Sequence, residues 1–392
     1  MRYSVIGLMS GTSLDGIDIA FCEFRLNKDK WTFEIHQAET IPYTRSWKDR
    51  LSAADTIPAL ELIMLDRDFG HFTGKLVRSF IDKHSIHPDF IASHGHTVFH
   101  QPVNGLTLQI GHGPAIRAET RIPVVCDFRS LDVALGGQGA PLVPIGDRLL
   151  FSDYDFCLNI GGFANISFET GDKRIAYDTG PANIVLNQLA SRAGYSYDRD
   201  GFLARQGKID HHLLEKLNAC NYYNLPPPKS LGKEWVSENI NPILSDIALP
   251  VCDLIATFCE HIAIQIGEAI RKAEVPETKQ FKSSTTLSPE NNSGSSGRTG
   301  RSDWTESPEI GNPEERCRKR ILVTGGGALN LFLVERIAHY ANADLVIPDR
   351  LTVEFKEALI FAFLGVLRWR NEPNCLKSVT GAMYDASGGG IF

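Results

Sequence analysis

The chain is short of three things. Its 8 cysteines (Cys22, Cys126, Cys157, Cys220, Cys252, Cys259, Cys317 and Cys375) include no C-x-x-C pair, and several lie in apolar stretches. The spacing of a cysteine zinc site or disulfide framework is therefore missing, and the set reads as buried free thiols of a reducing compartment. No apolar run approaches the roughly 20 residues that span a bilayer; the longest covers residues 358–367. Nor is there a basic arm or stripe. Lysine and arginine total 40 against 47 aspartates and glutamates, a formal net charge of −7 with the basic residues dispersed, so neither nucleic acid nor an anionic membrane is expected as a partner. The opening residues run from a short apolar stretch into a glycine turn without a small-residue cleavage pattern, which reads as a first strand of a cytoplasmic protein rather than a signal peptide.

What is present fits an α/β protein with mixed sheets. At 392 residues the chain has room for two or three domains of about 150 residues. Strands are expected at 5–9, 17–24 and 31–37, joined by turns at 10–16 and 27–30. Helical periodicity runs over 57–83, and strands return at 90–93, 106–110 and 124–126. From residue 154 the pattern restarts: strand 156–160, glycine turn, strand 166–169, polar turn, strand 174–177. Two copies imply a duplicated domain, with 1–150 as one unit and 151–392 as the other, the last helix of which is expected to pack back on the first. Helices are expected at 182–193 and 243–273, and a strand at 321–324. Residues 277–319 turn abruptly to serine, proline, glycine and charge, a surface insertion with no catalytic part.

Three glycine loops stand out. Gly11, Thr12, Ser13, Leu14, Asp15, Gly16, Ile17 and Asp18 place backbone amides, hydroxyls and carboxylates between two strands, where they suit a phosphate and, through aspartate, a magnesium ion. Gly161 and Gly162 form the equivalent turn of the second copy, and Gly325, Gly326 and Gly327 open a later helix. None is a P-loop or G-x-G-x-x-G. Together they describe a nucleotide held between two similar halves, against the plainer reading of ordinary hairpin turns.

Asp178 follows the third strand of the second copy, placed either to act as a general base or to cap the next helix. Its Asp-Thr-Gly context invites an aspartic protease reading, but the second such motif that a carboxylate dyad needs is absent. His94 and His96 are expected on one side of an extended backbone with His100 nearby, as sugar or phosphate contacts or as a metal constellation. Arg129, just after an apolar strand, is suited to a substrate carboxylate or to a structural ion pair. Of Glu354 and Glu357, which open a late helix, one is expected to face the crevice.

Taken in order, GLMSGTSLDGID at 7–18, SHG at 93–95, LQIG at 108–111, DFR at 127–129, GGQGAPL at 136–142, NIGG at 159–162, DTGP at 178–181 and GGGA at 325–328 resemble the anhydro-N-acetylmuramic acid kinases. The resemblance covers nearly the whole chain apart from the insertion. It implies the two-domain fold of the sugar kinase, Hsp70 and actin (ASKHA) superfamily, with its active site in the interdomain cleft. It also implies the reaction of ATP, water and 1,6-anhydro-N-acetylmuramic acid to ADP and N-acetylmuramic acid 6-phosphate, in peptidoglycan recycling. Asp178 then matches the catalytic base, residues 11–18 match the ATP loop, and Gly161, Gly162 and the Gly325 to Gly327 turn lie near the nucleotide. His94, Thr97, Arg129, Asn183 and Glu357 become sugar contacts. Magnesium is expected with ATP, no protein-borne metal site is expected, and a homodimer is the assembly entertained. Three departures stand out: His96 where glutamine is usual, Ala182 where glycine is usual, and the serine-rich insertion. A non-catalytic sugar or nucleotide sensor on the same fold, and a kinase of an ordinary hexose, are the competing readings.

Overall fold

The computed structural model describes residues 1–11, 13–245, 247–273 and 318–392. Thr12, Cys317 and nearly all of the expected insertion lie outside the described residues. In the first half the chain runs β1 (Arg2–Ser10), β2 (Gly16–Asn27), β3 (Lys30–Pro42), α1 (Arg45–Ser52), α2 (Ala59–His84), β4 (Phe90–Gln101), β5 (Leu106–Ile110), α3 (Gly113–Thr120), β6 (Val124–Cys126), α4 (Ser130–Ala134) and α5 (Val143–Leu150). The second half continues with β7 (Phe156–Ile160), β8 (Phe163–Thr170), β9 (Lys173–Pro181), α6 (Asn183–Arg192), α7 (His211–Asn218), α8 (Lys233–Trp235), α9 (Asn241–Ser245) and α10 (Val251–Lys272). It ends with β10 (Arg320–Thr324), α11 (Leu331–Ala341), β11 (Asp344–Val346), α12 (Arg350–Trp369), α13 (Lys377–Thr380) and β12 (Gly390–Ile391).

Two mixed sheets share one topology. The first has the order β12, β6, β4, β1, β2, β3, with β5 paired to β4; the second has β11, β10, β7, β8, β9. In each, the opening three strands form an antiparallel meander. The next strand then returns parallel to the first (β4 on β1, β10 on β7), and a further parallel strand follows outside it (β6, β11). The duplication is thus architectural as well as sequential.

Central strands are apolar on both faces because helices cover both. Val5 packs with the cluster under α12, while Ile6 and Leu8 pack with α2 on the other face. Gly7 permits the close approach of α12: a Cβ there would lie 2.0 Å from the Ala358 carbonyl oxygen. In the second half α6, α10 and α11 bury one face of the sheet. A buried charge network joins the halves. Lys356 of α12 lies 2.8 Å from Asp147 of α5, which also accepts from Ser167 of β8 at 2.6 Å, and Arg174 of β9 donates to Ser167 at 2.8 Å. Burial alone would raise the Asp147 carboxyl, but Lys356 and Arg174 outweigh it and hold it low.

Two expectations about local structure are corrected. The single helix expected over 243–273 is two, α9 and α10, with Pro250 as the N-cap of the second; proline cannot donate into a preceding turn and biases its neighbour away from helix. The strand beginning at Phe90 runs on to Gln101 as the long arm of a hairpin with β5, through the segment expected to be turn.

Candidate active site

Asp178 lies within β9 opposite Asn165, beside a register shift in the β8 to β9 ladder. The segment 222–231 grips it from three directions. The Asp178 N–H donates to the Lys229 carbonyl at 3.2 Å, the Asp178 carbonyl accepts from the Tyr222 hydroxyl at 2.7 Å, and Oδ2 accepts from the Leu231 N–H at 2.9 Å. Burial pushes the carboxyl up to about 6, opposed among the described residues by the Leu231 hydrogen bond. Among the described residues no second carboxylate contributes to that shift, so the chain pairs Asp178 with no partner for a protease dyad of its own. The capping role also falls away: the N-cap of α6 is Ala182, with no side-chain hydrogen bond.

The glycine loops of the second half converge beside α6. Asn183 donates from Nδ2 to the Ile160 carbonyl and from its backbone to the Gly161 carbonyl, both at 3.1 Å. The Gly162 carbonyl accepts from the Ala182 and Ile184 amides. Gly325, with φ of +79°, packs where a Cβ would lie 2.7 Å from Asn159 Oδ1, and a Cβ at Gly327 would lie 2.2 Å from the Ile160 side chain. Gly161, Gly162, Asn183 and Gly325 to Gly327 therefore share one corner, and only glycine allows the two turns to touch. By contrast Gly162 is open: the nearest atom to a Cβ there is 3.9 Å away.

In the first half, Leu14 takes a left-handed conformation (φ of +60°) in the turn between β1 and β2. A Cβ on Gly16 would meet the Ile41 carbonyl at 2.4 Å, so glycine is needed where β2 starts against β3. Ser13 and Asp15 are exposed and Gly11 partly so, whereas Ile17 is buried in the α2 cluster and offers a ligand only its backbone. Asp18 accepts from Thr40 at 2.6 Å; burial raises its carboxyl, with Asp15 and Glu354 adding to the rise.

His94 and His96 face opposite sides of the sheet, contrary to the expectation of one shared side. His94 stacks near Phe361 of α12, while His96 packs on Phe69 of α2. Gly95 between them has φ of +78°, which breaks the alternation that a regular strand would impose. Among the described residues no group of three histidines, cysteines or carboxylates is placed to hold a metal ion. His94 Nε2 accepts from Arg129 Nε at 3.2 Å and Nη2 at 3.0 Å, and its other nitrogen lies 2.8 Å from the Gly95 carbonyl. That pattern assigns the neutral ring with the proton on Nδ1. Burial and then Arg129 push its pKa down to about 3, in keeping with a neutral acceptor.

Arg129 Nη1 donates to the Gly139 carbonyl at 2.6 Å, so the 136–142 loop and His94 hold the guanidinium from two sides. Two of its five N–H groups remain for a ligand. Glu357 is its charged neighbour. The carboxylate is open to water yet hemmed in by protein, and this burial raises it, Asp18 adding while Arg129 and Lys356 oppose. Glu354 instead pairs with Arg350 at 2.8 Å. His96 Nδ1 meets Ser10 Oγ at 3.1 Å, which meets the Tyr43 hydroxyl at 2.6 Å. Thr97 lines a cleft of about 180 Å³ with Leu14, Asp55 and His96.

Asp18, Arg129, His94 and Glu357 thus form one cluster and Asp178 with 222–231 another; the two share no hydrogen bond or ion pair among the described residues. Tyr222, Lys229 and Leu231 were not anticipated from the sequence. The run Pro226-Pro227-Pro228 marks a loop, but not that this loop docks on β9.

Two sheets of one topology, each ending in glycine turns around polar side chains, define the duplicated α/β fold of the sugar kinase, Hsp70 and actin superfamily. Comparison narrows the class. The family model described as anhydro-N-acetylmuramic acid kinase matches residues 3–283 and 307–392. The anhydro-N-acetylmuramic acid kinase of Gloeobacter violaceus is 34% identical over 400 residues, covering 96% of this chain and 95% of its own. That of Vibrio cholerae is 33% identical over 412 residues, covering 100% and 98%. A ROK family glucokinase from Streptomyces griseus, solved with glucose and AMPPNP, aligns over 92% of this chain and 97% of its own at 12% identity, with a TM-score of 0.33. The chain belongs to the anhydro-N-acetylmuramic acid kinase family. It is an enzyme, a carbohydrate kinase, and a non-catalytic sensor is not favoured.

Proposed function

We propose that the chain opens the 1,6-anhydro bridge of 1,6-anhydro-N-acetylmuramic acid with water and phosphorylates O6 from ATP, in the cytoplasmic recycling of peptidoglycan. The observation that carries the residue assignment is Asp178, a carboxylate pushed up to about 6 by burial and aimed by the Leu231 N–H. A base with that pKa is ionised at neutral pH yet more basic than a free aspartate, which suits proton abstraction from water. Asp178 takes the proton as the water oxygen bonds to C1. The C1–O6 bond breaks, and O6 attacks the γ-phosphorus as ADP departs.

Arg129, fixed by His94 and Gly139, offers its two remaining N–H groups to the lactyl carboxylate of the sugar, with Thr97, Asn183 and Glu357 as further polar contacts. The nucleotide lies between the 11–18 turn and the corner made by Gly161, Gly162 and Gly325 to Gly327. Open backbone at Gly11 and Gly162 fits phosphate oxygens. The raised carboxyl of Asp18, crowded by Asp15 and Glu354, fits a magnesium ion carried on the phosphates and reached through water. That ion supplies charge neutralisation for phosphoryl transfer. The halves 1–150 and 151–392, with α12 to β12 packed back on the first sheet, act as two domains that close on the substrates, and the working unit is a homodimer. Small-angle scattering unchanged by both substrates, or a monomer in sedimentation, would overturn those two statements.

The deciding assay is ADP release from magnesium-ATP with 1,6-anhydro-N-acetylmuramic acid, beside N-acetylglucosamine, glucose and an Asp178→Asn variant. Release should require the anhydro sugar, place ¹⁸O from labelled water at C1, and collapse in the variant. No release from any sugar by folded, ATP-binding protein would sink the assignment and restore the sensor.

A further inference from the structure

Behind the strand that carries Asp178 lies a cavity of about 320 Å³ that the reaction does not use. Tyr177 and Thr179 line it, whereas Asp178 between them in sequence carries its carboxylate toward Leu231. Tyr177 packs with the α10 cluster and Ala176 with the α12 cluster, so the cavity opens on the sheet face opposite the one Ala176 buries. Its other walls are the 223–229 loop and the last turns of α10.

The lining is aromatic and cationic. Lys229 Nζ donates to the Tyr222 carbonyl at 3.0 Å and sits 5.6 Å from the Tyr177 ring centroid. Lys272 makes no ion pair among the described residues, and the wall's carboxylate, Glu268, is taken up by Arg271. Burial and then the charge of Lys272 push the Lys229 ammonium down, so two cations face one cavity with no ion-pair partner among the described residues. A bound anion would remove that repulsion, and the rings of Tyr177 and Tyr223 present flat apolar surface beside it.

We propose that this cavity is a second ligand site, for a small organic anion that pairs a phosphate or carboxylate with Lys229 and Lys272 and lays a flat apolar body against Tyr177 and Tyr223. The site has a lever on the first. The loop that walls it continues to Leu231, the backbone donor on Asp178, and Lys229 itself accepts from the Asp178 amide. Occupancy therefore shifts the donor that offsets the effect of burial on Asp178; this second step rests on the catalytic reading above, whereas binding does not.

Calorimetric titration of the full chain, in excess ADP, with phenyl phosphate, benzoate and inorganic phosphate tests binding without any assay of turnover. One saturable equivalent of phenyl phosphate or benzoate is expected, and the tighter of the two tells which headgroup the site takes. Lys272→Glu, at an exposed position, and Leu225→Trp, which fills the cavity mouth, should each weaken it by about tenfold or more at unchanged Tm. No saturable binding by any probe in excess ADP, or undiminished binding in both variants, would overturn the site. Saturating probe should also move the acidic limb of the pH–rate profile; an unmoved limb with binding intact would overturn the lever alone.

Discussion

The carboxylates of Asp178 and Glu357 differ in what sets their basicity. Asp178 answers to burial and one backbone N–H, with no charged group among the described residues acting on it. Glu357 also rises through burial, but Asp18 pushes it further up while Arg129 and Lys356 pull it down. A solitary carboxylate is tuned by how tightly the protein closes around it, whereas a clustered one is tuned by its neighbours. That contrast suits the first to a proton transfer at fixed basicity and the second to binding in a field of compensating charge.

Substitutions can break this contrast. The largest effect is expected from Asp178→Asn, a loss of about 10²–10⁴ in kcat from removal of the base. Because the native carboxyl is raised, its charge destabilises the fold as pH climbs from the ordinary carboxylate range through about 6. The variant should therefore melt no lower than the wild type at neutral pH, and a lower Tm would show that the carboxylate is structural. Next is Arg129→Met, which should raise the sugar KM by about 10- to 100-fold with a smaller change in kcat. A kcat loss at constant KM would put Arg129 in the chemistry instead.

The pH dependence separates the two environments directly. The acidic limb of kcat/KM for the wild type should fall near 6 and persist unmoved in Arg129→Met, since Arg129 does not act on Asp178. A limb that moves with Arg129 would mean that the clusters are coupled. His94→Gln keeps an acceptor for the guanidinium and should cost about tenfold in KM, less than Arg129→Met, whereas His94→Leu should approach it. The smallest expected effect is that of Tyr222→Phe, which deletes one hydrogen bond to the Asp178 backbone, worth about 1 kcal/mol or a few-fold in kcat.

Much of this was legible from local pattern. Short polar turns between alternating strands marked both meanders, and the sheet registers follow them. The glycine turns were legible because a missing Cβ is a sequence property, and at Gly16 and Gly325 the neighbours a Cβ would strike account for it. The pairing of His94 with Arg129 was not, since 34 residues separate them and only the parallel placement of β6 beside β4 brings the segment after β6 to His94. Period-2 reasoning put His94 and His96 together, and one left-handed glycine overruled it. Apolar periodicity likewise carried the expected helix through Pro250, where local backbone sterics won.

By itself the sequence determined the class of element at most positions, the duplication and the glycine turns, because each depends on backbone sterics or periodicity. Only the tertiary structure decided which faces the histidines take, that Arg129 leans on a neutral imidazole, and that the 222–231 segment grips Asp178 while walling a second cavity. Those are contacts between residues tens of positions apart, and the basicity they create comes from burial, which a sequence does not contain until it has folded.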